Sequence, residues 1–317
     1  MQRFTFAVLV FGTTLAATDA RAFCRKTTCR DCPTDLDGCT IGGQPLIWPG
    51  ACTSFALTRQ ASQQVSEDDA AAVATKAFEA WQSVSCPGTG EPPSISIAEA
   101  FGPTSCTLAE YSHTGANANV IAFRDDVWPY ADSEDAVGLT TVSFDSITGE
   151  IVDADIELNG TVPLSVTDAV PPGDFDLLSV LTHEAGHFLG LGHSSDPDAV
   201  MRPVYDPGTP SLRVPNDDDI AGICAIYPPG RKALPCDFTP KNGFANECPL
   251  AVYKGGCSVS RATAPNGDGV PSTLLLVAFS IALRFVRRWR ARPFNPREET
   301  VTEAVRENAS AAPSRSS

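Results

Sequence analysis

Residues 183–193 run His-Glu-Ala-Gly-His-Phe-Leu-Gly-Leu-Gly-His and hold three of the four histidines in the 317-residue chain. Residues four apart lie on one face of a helix, so His183 and His187 can present nitrogens to a common point. Glu184 sits beside the first of them, where it can reach a metal-bound water without being a ligand. Gly190 allows the backbone to leave the helix with φ > 0, which turns the chain so that His193 can supply a third nitrogen. Three nitrogens and one open position describe a catalytic zinc site, whereas a structural zinc is closed by four protein ligands. Zinc in such a site lowers the pKa of its water to near ~7 and polarises a carbonyl. Glu184 is then placed to act as a general base toward that water.

The extended pattern H-E-x-x-H-x-x-G-x-x-H is the zinc signature of the metzincin peptidases. The next residues narrow the resemblance to the matrixin branch: His193-Ser194, a short loop, Ala199-Val200-Met201, then Pro203 and Tyr205. The match continues in Asp218-Asp219-Ile220, Gly222-Ile223 and Tyr227, which resemble the last helix of matrixin domains. Ala77-Phe78-Glu79-Ala80-Trp81 resembles their first helix. The resemblance implies a zinc endopeptidase acting on polypeptides, with His183, His187 and His193 as ligands and Glu184 as catalytic base. It implies that Met201 lies under the metal as an apolar floor. It places Pro203 and Tyr205 in the wall of the pocket for the residue after the scissile bond, and gives Asp218 and Asp219 the bracing of the Met-turn.

The elements that must position these residues are legible in the hydrophobic pattern. Ser66 caps a helix with Asp69 in the capping-box position, and Ala70, Val73, Ala77, Trp81 and Val84 recur at helical spacing. Residues 46–48, 55–58, 94–97, 120–123, 139–144 and 151–158 read as strands. Pro171-Pro172-Gly173 and Asp174 lead into the histidine helix, whose apolar face includes Leu177, Leu178, Leu181 and Phe188. Asn216 caps a final helix with an apolar stripe at Ile220, Ile223 and Ile226, ended by Pro228-Pro229-Gly230. This order predicts an α+β, zincin-like fold: a twisted mixed sheet covered by two long helices, plus a small lower subdomain with the Met-turn and the last helix. The substrate cleft would then lie between an edge strand and the wall at 203–205, where an extended peptide adds as a strand.

Composition bounds the setting. Residues 1–22 carry a basic start, an apolar run and Ala20-Arg21-Ala22, the pattern of a secretory signal cleaved before Phe23. Eleven cysteines behind an export signal point to disulfides in an oxidising compartment, and Cys29-x-x-Cys32 leaves metal binding as the competing use of the first cluster. A net charge of −15 argues against a nucleic-acid partner. Asp153-Ala154-Asp155-Ile156-Glu157-Leu158-Asn159 reads as a half-buried strand whose polar face meets solvent or substrate, with a calcium role for Asp153 and Asp155 as the alternative.

Two features depart from the matrixin pattern. Outside the motif only His113 remains, so a second, structural zinc cannot be built in the family's usual form, and a single zinc is expected. The family's cysteine-switch motif is absent, though the segment 23–44 could still cover the cleft. At the other end, Cys257, an apolar run at 272–283 and the cluster Arg284, Arg287, Arg288, Arg290, Arg292 resemble bacterial tripartite C-terminal sorting signals of myxobacterial type. That resemblance makes Cys257 a processing or lipid-attachment site and implies membrane anchoring and surface display, while a buried or amphipathic helix is the competing reading.

The expected organisation is therefore a signal at 1–22, a Cys-rich segment at 23–44, the zinc domain at 45–230 and a Cys-containing extension at 231–257. A linker at 258–271, the apolar-plus-arginine segment at 272–292 and a polar tail at 293–317 follow. Two other functions stand beside the endopeptidase: a catalytically silent zinc-containing surface binding or adhesion protein, and a zinc hydrolase acting on a wall peptide.

Overall fold

The computed structural model describes residues 22–248 and a strand at 298–307. The signal segment up to residue 21, the linker, Cys257 and the apolar-plus-arginine segment lie outside the described residues. In chain order the elements are β1 (Cys52–Ser54), β2 (Ala56–Leu57), α1 (Glu67–Gln82), β3 (Ser96–Ala98), β4 (Val120–Phe123), β5 (Ala136–Asp145) and β6 (Ile151–Leu158). Then come β7 (Leu164–Ser165), β8 (Phe175–Asp176), α2 (Leu177–Phe188), β9 (Val204–Tyr205), α3 (Asp217–Ile226) and β10 (Glu298–Glu307). The main sheet is mixed, in the order β2-β4-β6-β5-β10-β9. β2, β4 and β6 run parallel, and β5 is antiparallel to β6 and to β10.

Both long helices form where the sequence puts caps before apolar stripes. Ser66 accepts from the Asp69 amide and satisfies one of α1's orphan donors, and Ala70, Val73, Ala77 and Trp81 are buried; Val84 falls beyond the helix and is only partly buried. α1 packs across α2, and α2 packs on β5 and β6. An aromatic cluster locks this contact: Phe55 stacks on Phe78 at 4.8 Å, and Phe78 meets Phe188 edge-on at 5.0 Å. α3 carries a capping box between Asn216 and Asp219. Its buried face is Asp219, Gly222, Ile223 and Ile226, so the stripe is turned slightly from the expected one and Ile220 is only half-buried.

Residues 46–48 do not form a strand; Ile47 makes one bridge to Glu150, while the Trp48 indole is spent on a helix end described below. The larger correction concerns β6. Asp153, Asp155, Glu157 and Asn159 are all buried, so this face meets neither solvent nor substrate. The cover comes from far away in sequence. A second apolar cluster of Cys106, Ala118, Val120, Ala122 and Ala245 lies apart from the main core, and Asn117 bridges to Phe244. Residues 236–248 are thus part of the folded body, tied down by the Cys52–Cys236 and Cys106–Cys248 disulfides.

Under this cover each polar side chain of β6 has a defined role. Glu157 is held by the Arg124 guanidinium and the Tyr130 hydroxyl, and Asp155 accepts from the Val120 amide at 2.7 Å. Burial and the adjacent carboxylate push Asp153 well above the usual carboxylate range, and burial pushes Asp155 up to about 7. The two are hydrogen-bonded, which is the arrangement of a shared proton.

A raised carboxyl pKa means the protonated form is favoured by folding. The pair's stabilisation is complete below the unfolded value and is lost as pH rises through about 7. Asp153→Asn should flatten that loss, recovering on the order of 1–3 kcal/mol at pH 8 relative to pH 5. Urea midpoints at the two pH values check this, and parallel profiles for parent and variant would refute the shared proton.

The remaining cysteines close as Cys24–Cys39, Cys29–Cys32 and Cys86–Cys224. Cys29-x-x-Cys32 is therefore a disulfide and holds no metal. The five pairs use ten of the eleven cysteines and leave Cys257 over. No described helix is long and apolar enough to cross a membrane.

Candidate metal centre and cleft

α2 begins where Asp176 accepts from the Ser179 amide, with Arg213 gripping both oxygens of the same carboxylate. The fork clamps the loop before α3 to the start of the histidine helix. At its other end the helix is stopped deliberately. Gly190 has φ +94°, and a Cβ there would meet the Leu46 carbonyl oxygen at 2.7 Å. The last carbonyls are taken by side chains from distant segments: the Trp48 indole donates to the Phe188 oxygen and the Tyr227 hydroxyl to the Leu189 oxygen, each at 2.9 Å. The chain thus leaves the helix without orphaned carbonyls and swings His193 back toward His183 and His187.

The three imidazoles converge: one ligand atom from each lies within 4.8 Å of the others, the only such His, Cys, Asp or Glu group among the described residues. Their tautomers follow from their partners. His183 Nδ1 is 2.7 Å from the Val200 carbonyl and His187 Nδ1 is 2.9 Å from the Leu191 carbonyl. Carbonyls only accept, so both Nδ1 atoms carry the proton and both Nε2 atoms keep a lone pair. Those two Nε2 atoms face one another at 3.0 Å. Burial pushes His183 down to about 4 and, with the neighbouring histidines, His187 well below its ordinary value. Neutral imidazoles with lone pairs aimed at one point are the ligand form of histidine. The donor set fits zinc.

Met201 is buried with its thioether against Gly186, and a Cβ at Gly186 would run into Met201 Sδ and the Trp81 ring. A glycine inside a helix is costly, and here it makes room for the Met201 thioether and the Trp81 ring. Asp219 accepts from the Val200 amide at 2.7 Å and the Met201 amide at 3.1 Å, fixing that turn. Burial outweighs these donors and pushes its carboxyl up to about 6. The Val200 and Met201 amides go to Asp219 and leave Asp218 other partners. Asp218 accepts from the Ala22 and Phe23 amides and the Ser194 hydroxyl, and reaches Met201 through Ser194, whose amide donates to the Met201 carbonyl. The bracing expected of two aspartates therefore falls on Asp219.

Glu184 is fully buried, with Oε2 taking a 2.5 Å hydrogen bond from the Thr140 hydroxyl. Its other oxygen lies against Gly138, where a Cβ would stand 2.7 Å from Oε1. Both contacts come from β5. Sequence reasoning missed Gly138 and Thr140; the one signal was a glycine inside a strand, which marks close approach by another group. Tyr205 is buried, with its hydroxyl donating to the Thr209 carbonyl, while Pro203 and Val204 are exposed beside it.

The start of the N-terminal segment packs on the turn that carries the third histidine. Arg25 bridges to Leu191 and Lys26 donates to the Gly190 carbonyl, so it buttresses the turn behind the ligands. His113 lies on an exposed loop against Tyr111.

Comparison with known proteins agrees with the geometry. The matrixin family profile matches residues 48–228. The chain is 52% identical over 52 residues to human matrilysin, covering 16% of this chain and 20% of that protein. It is 38% identical over 98 residues to metalloendoproteinase 1-MMP of Arabidopsis thaliana, covering 28% and 27% respectively. Against human matrix metalloproteinase-16 it is 49% identical over 61 residues, covering 19% and 10%. The matched stretch thus spans about a quarter or less of these relatives' lengths. With the profile running from Trp48 through α3, and the three histidines, Met201 and Asp219 assembled inside it, the chain belongs to the matrixin family.

Proposed function

We propose that this chain is a zinc-dependent endopeptidase that hydrolyses internal peptide bonds of polypeptides outside the cell or at its surface. The observation that carries the reading is the convergence of three histidines, two of them held neutral by burial, beside a carboxylate fixed by Thr140. Membership of a zinc-dependent family and the metalloendoproteinase relatives support it.

His183, His187 and His193 would hold one zinc, which when bound supplies a Lewis acid and an acidified water. Glu184 Oε1 takes the water proton and hands it to the leaving amine nitrogen. Thr140 keeps Oε2 occupied, so the carboxylate turns one oxygen toward the reaction. Gly138 keeps the space between that oxygen and β5 clear. The β5 backbone aligns an extended substrate, and Pro203 and Tyr205 flank the side chain after the scissile bond.

Secretion rests on the signal pattern at 1–22, and the disulfides suit an oxidising compartment. Incubating the full chain with a mixed peptide library, with and without a zinc chelator, tests the function. Cleavage within chains that the chelator abolishes is expected. Zinc content with no cleavage, in the parent and in the tail variants described next, would instead indicate a binding protein.

A further inference from the structure

β10 occupies a particular place. It lies between β5 and β9, antiparallel to β5 from Glu298 opposite Asp145 to Arg306 opposite Ala136. On its other side it runs parallel to β9, with Arg306 opposite Val204 and Glu307 opposite Tyr205. Adjacent strands stand about 4.8 Å apart, so where β9 meets it, at Arg306 and Glu307, β10 fills a gap one extended chain wide, and from 298 to 305 it lies along the edge of β5. The register sets what passes over the site. Thr140, which holds Glu184, is opposite Glu303, and Gly138, against which Glu184 Oε1 rests, is opposite Val305. The ladder's one irregularity falls between Val305 and Arg306, where the strand passes from Gly138 to the β9 side. α2 packs against β10. The backbone of 303–305 therefore runs alongside the two β5 residues that contact the Glu184 carboxylate.

We propose that residues 298–307 are a built-in occupant of the substrate slot, holding it closed against polypeptides until the tail is displaced or removed. This rests on the endopeptidase reading, because it takes the β5–β9 slot as the place where substrate adds. The mode is strand addition, in which main-chain hydrogen bonds supply affinity for any extended segment. An occupant on the same chain competes at an effective concentration up to the order of a millimolar, so a free peptide must exceed that to displace it.

The tail's other reading sets a constraint. A single membrane crossing at 272–283 would put β5 and residues 298–307 on opposite sides, so a retained span and this ladder exclude one another. Processing near Cys257 would remove β10 and open the slot.

The test uses the full chain and a variant with Thr302→Pro and Glu303→Pro. Successive amides of a strand point to opposite sides, so one of the two prolines removes a donor toward β5 whichever the phase. Hydrogen exchange of residues 139–143 is read in a Glu184→Gln background, and hydrolysis of a quenched peptide is read with Glu184 intact. Breaking the ladder should speed β5 exchange about tenfold or more. The peptide KM should fall at least about fivefold with kcat unchanged, as expected when a competing intramolecular ligand is released. Equal exchange and equal KM overturn the proposal while leaving the peptidase intact. Faster exchange with no hydrolysis by either protein keeps the strand in the slot and fails the peptidase. Protection that rises with protein concentration assigns the strand to a second copy and overturns the intramolecular version. If the proline variant does not fold, replacing 298–307 by a Gly-Ser segment of equal length gives the same readings.

Discussion

Glu184→Gln should reduce kcat/KM by about 10³- to 10⁴-fold, the upper range for loss of a general base, while zinc binding is retained. The substitution is nearly isosteric, and the Thr140 hydroxyl can still donate to the side-chain oxygen it meets at 2.5 Å. What disappears is the ability to take a proton at the oxygen facing Gly138. A uniform effect on binding would raise KM with kcat unchanged; removal of proton transfer lowers kcat. Steady-state kinetics on a quenched peptide separates the two, and a kcat within tenfold of the parent would remove Glu184 from the mechanism.

Asp219→Ala should destabilise the fold by about 3–5 kcal/mol at pH 7. Three things are lost together: the acceptor for the Val200 amide, the acceptor for the Met201 amide and the capping-box partner of Asn216. The first two amides are buried, so they cost a desolvation penalty when left unmade. Asp218→Ala should cost clearly less, because its partners are the part-buried Ser194 hydroxyl and the Ala22 and Phe23 amides. Urea unfolding of the two variants measures the contrast. Equal losses would return the bracing role to both aspartates.

The difference between those aspartates shows where sequence reasoning stops. The His183–His193 run, the caps at Ser66 and Asn216, and the strands at 120–123 and 151–158 are local features, and periodicity and cap chemistry expose them. Gly190's positive φ was legible for the same reason. Which of two adjacent aspartates faces the Met-turn depends on the docking angle of α3, which no local pattern encodes. The polar face of β6 misled because an acidic alternation normally faces water. Its cover arrives from residues 104–118 and 244–248, and the cysteines that fasten it do not announce their pairing.

β10 is the extreme case. Its partner β5 precedes it by more than 150 residues, and a stretch such as Thr300-Val301-Thr302 is too short to claim an edge across that distance. The supports of Glu184 were hidden likewise, since Gly138 and Thr140 gain meaning only once β5 lies alongside α2.

His183, His187 and His193 are expected to form one zinc site, with no second one among the described residues. Elemental analysis of the purified protein after dialysis against trace zinc tests it most directly. One zinc per chain is expected in the parent and in Glu184→Gln, and none in His187→Ala. Two zincs per parent chain, or one retained by His187→Ala, would contradict it.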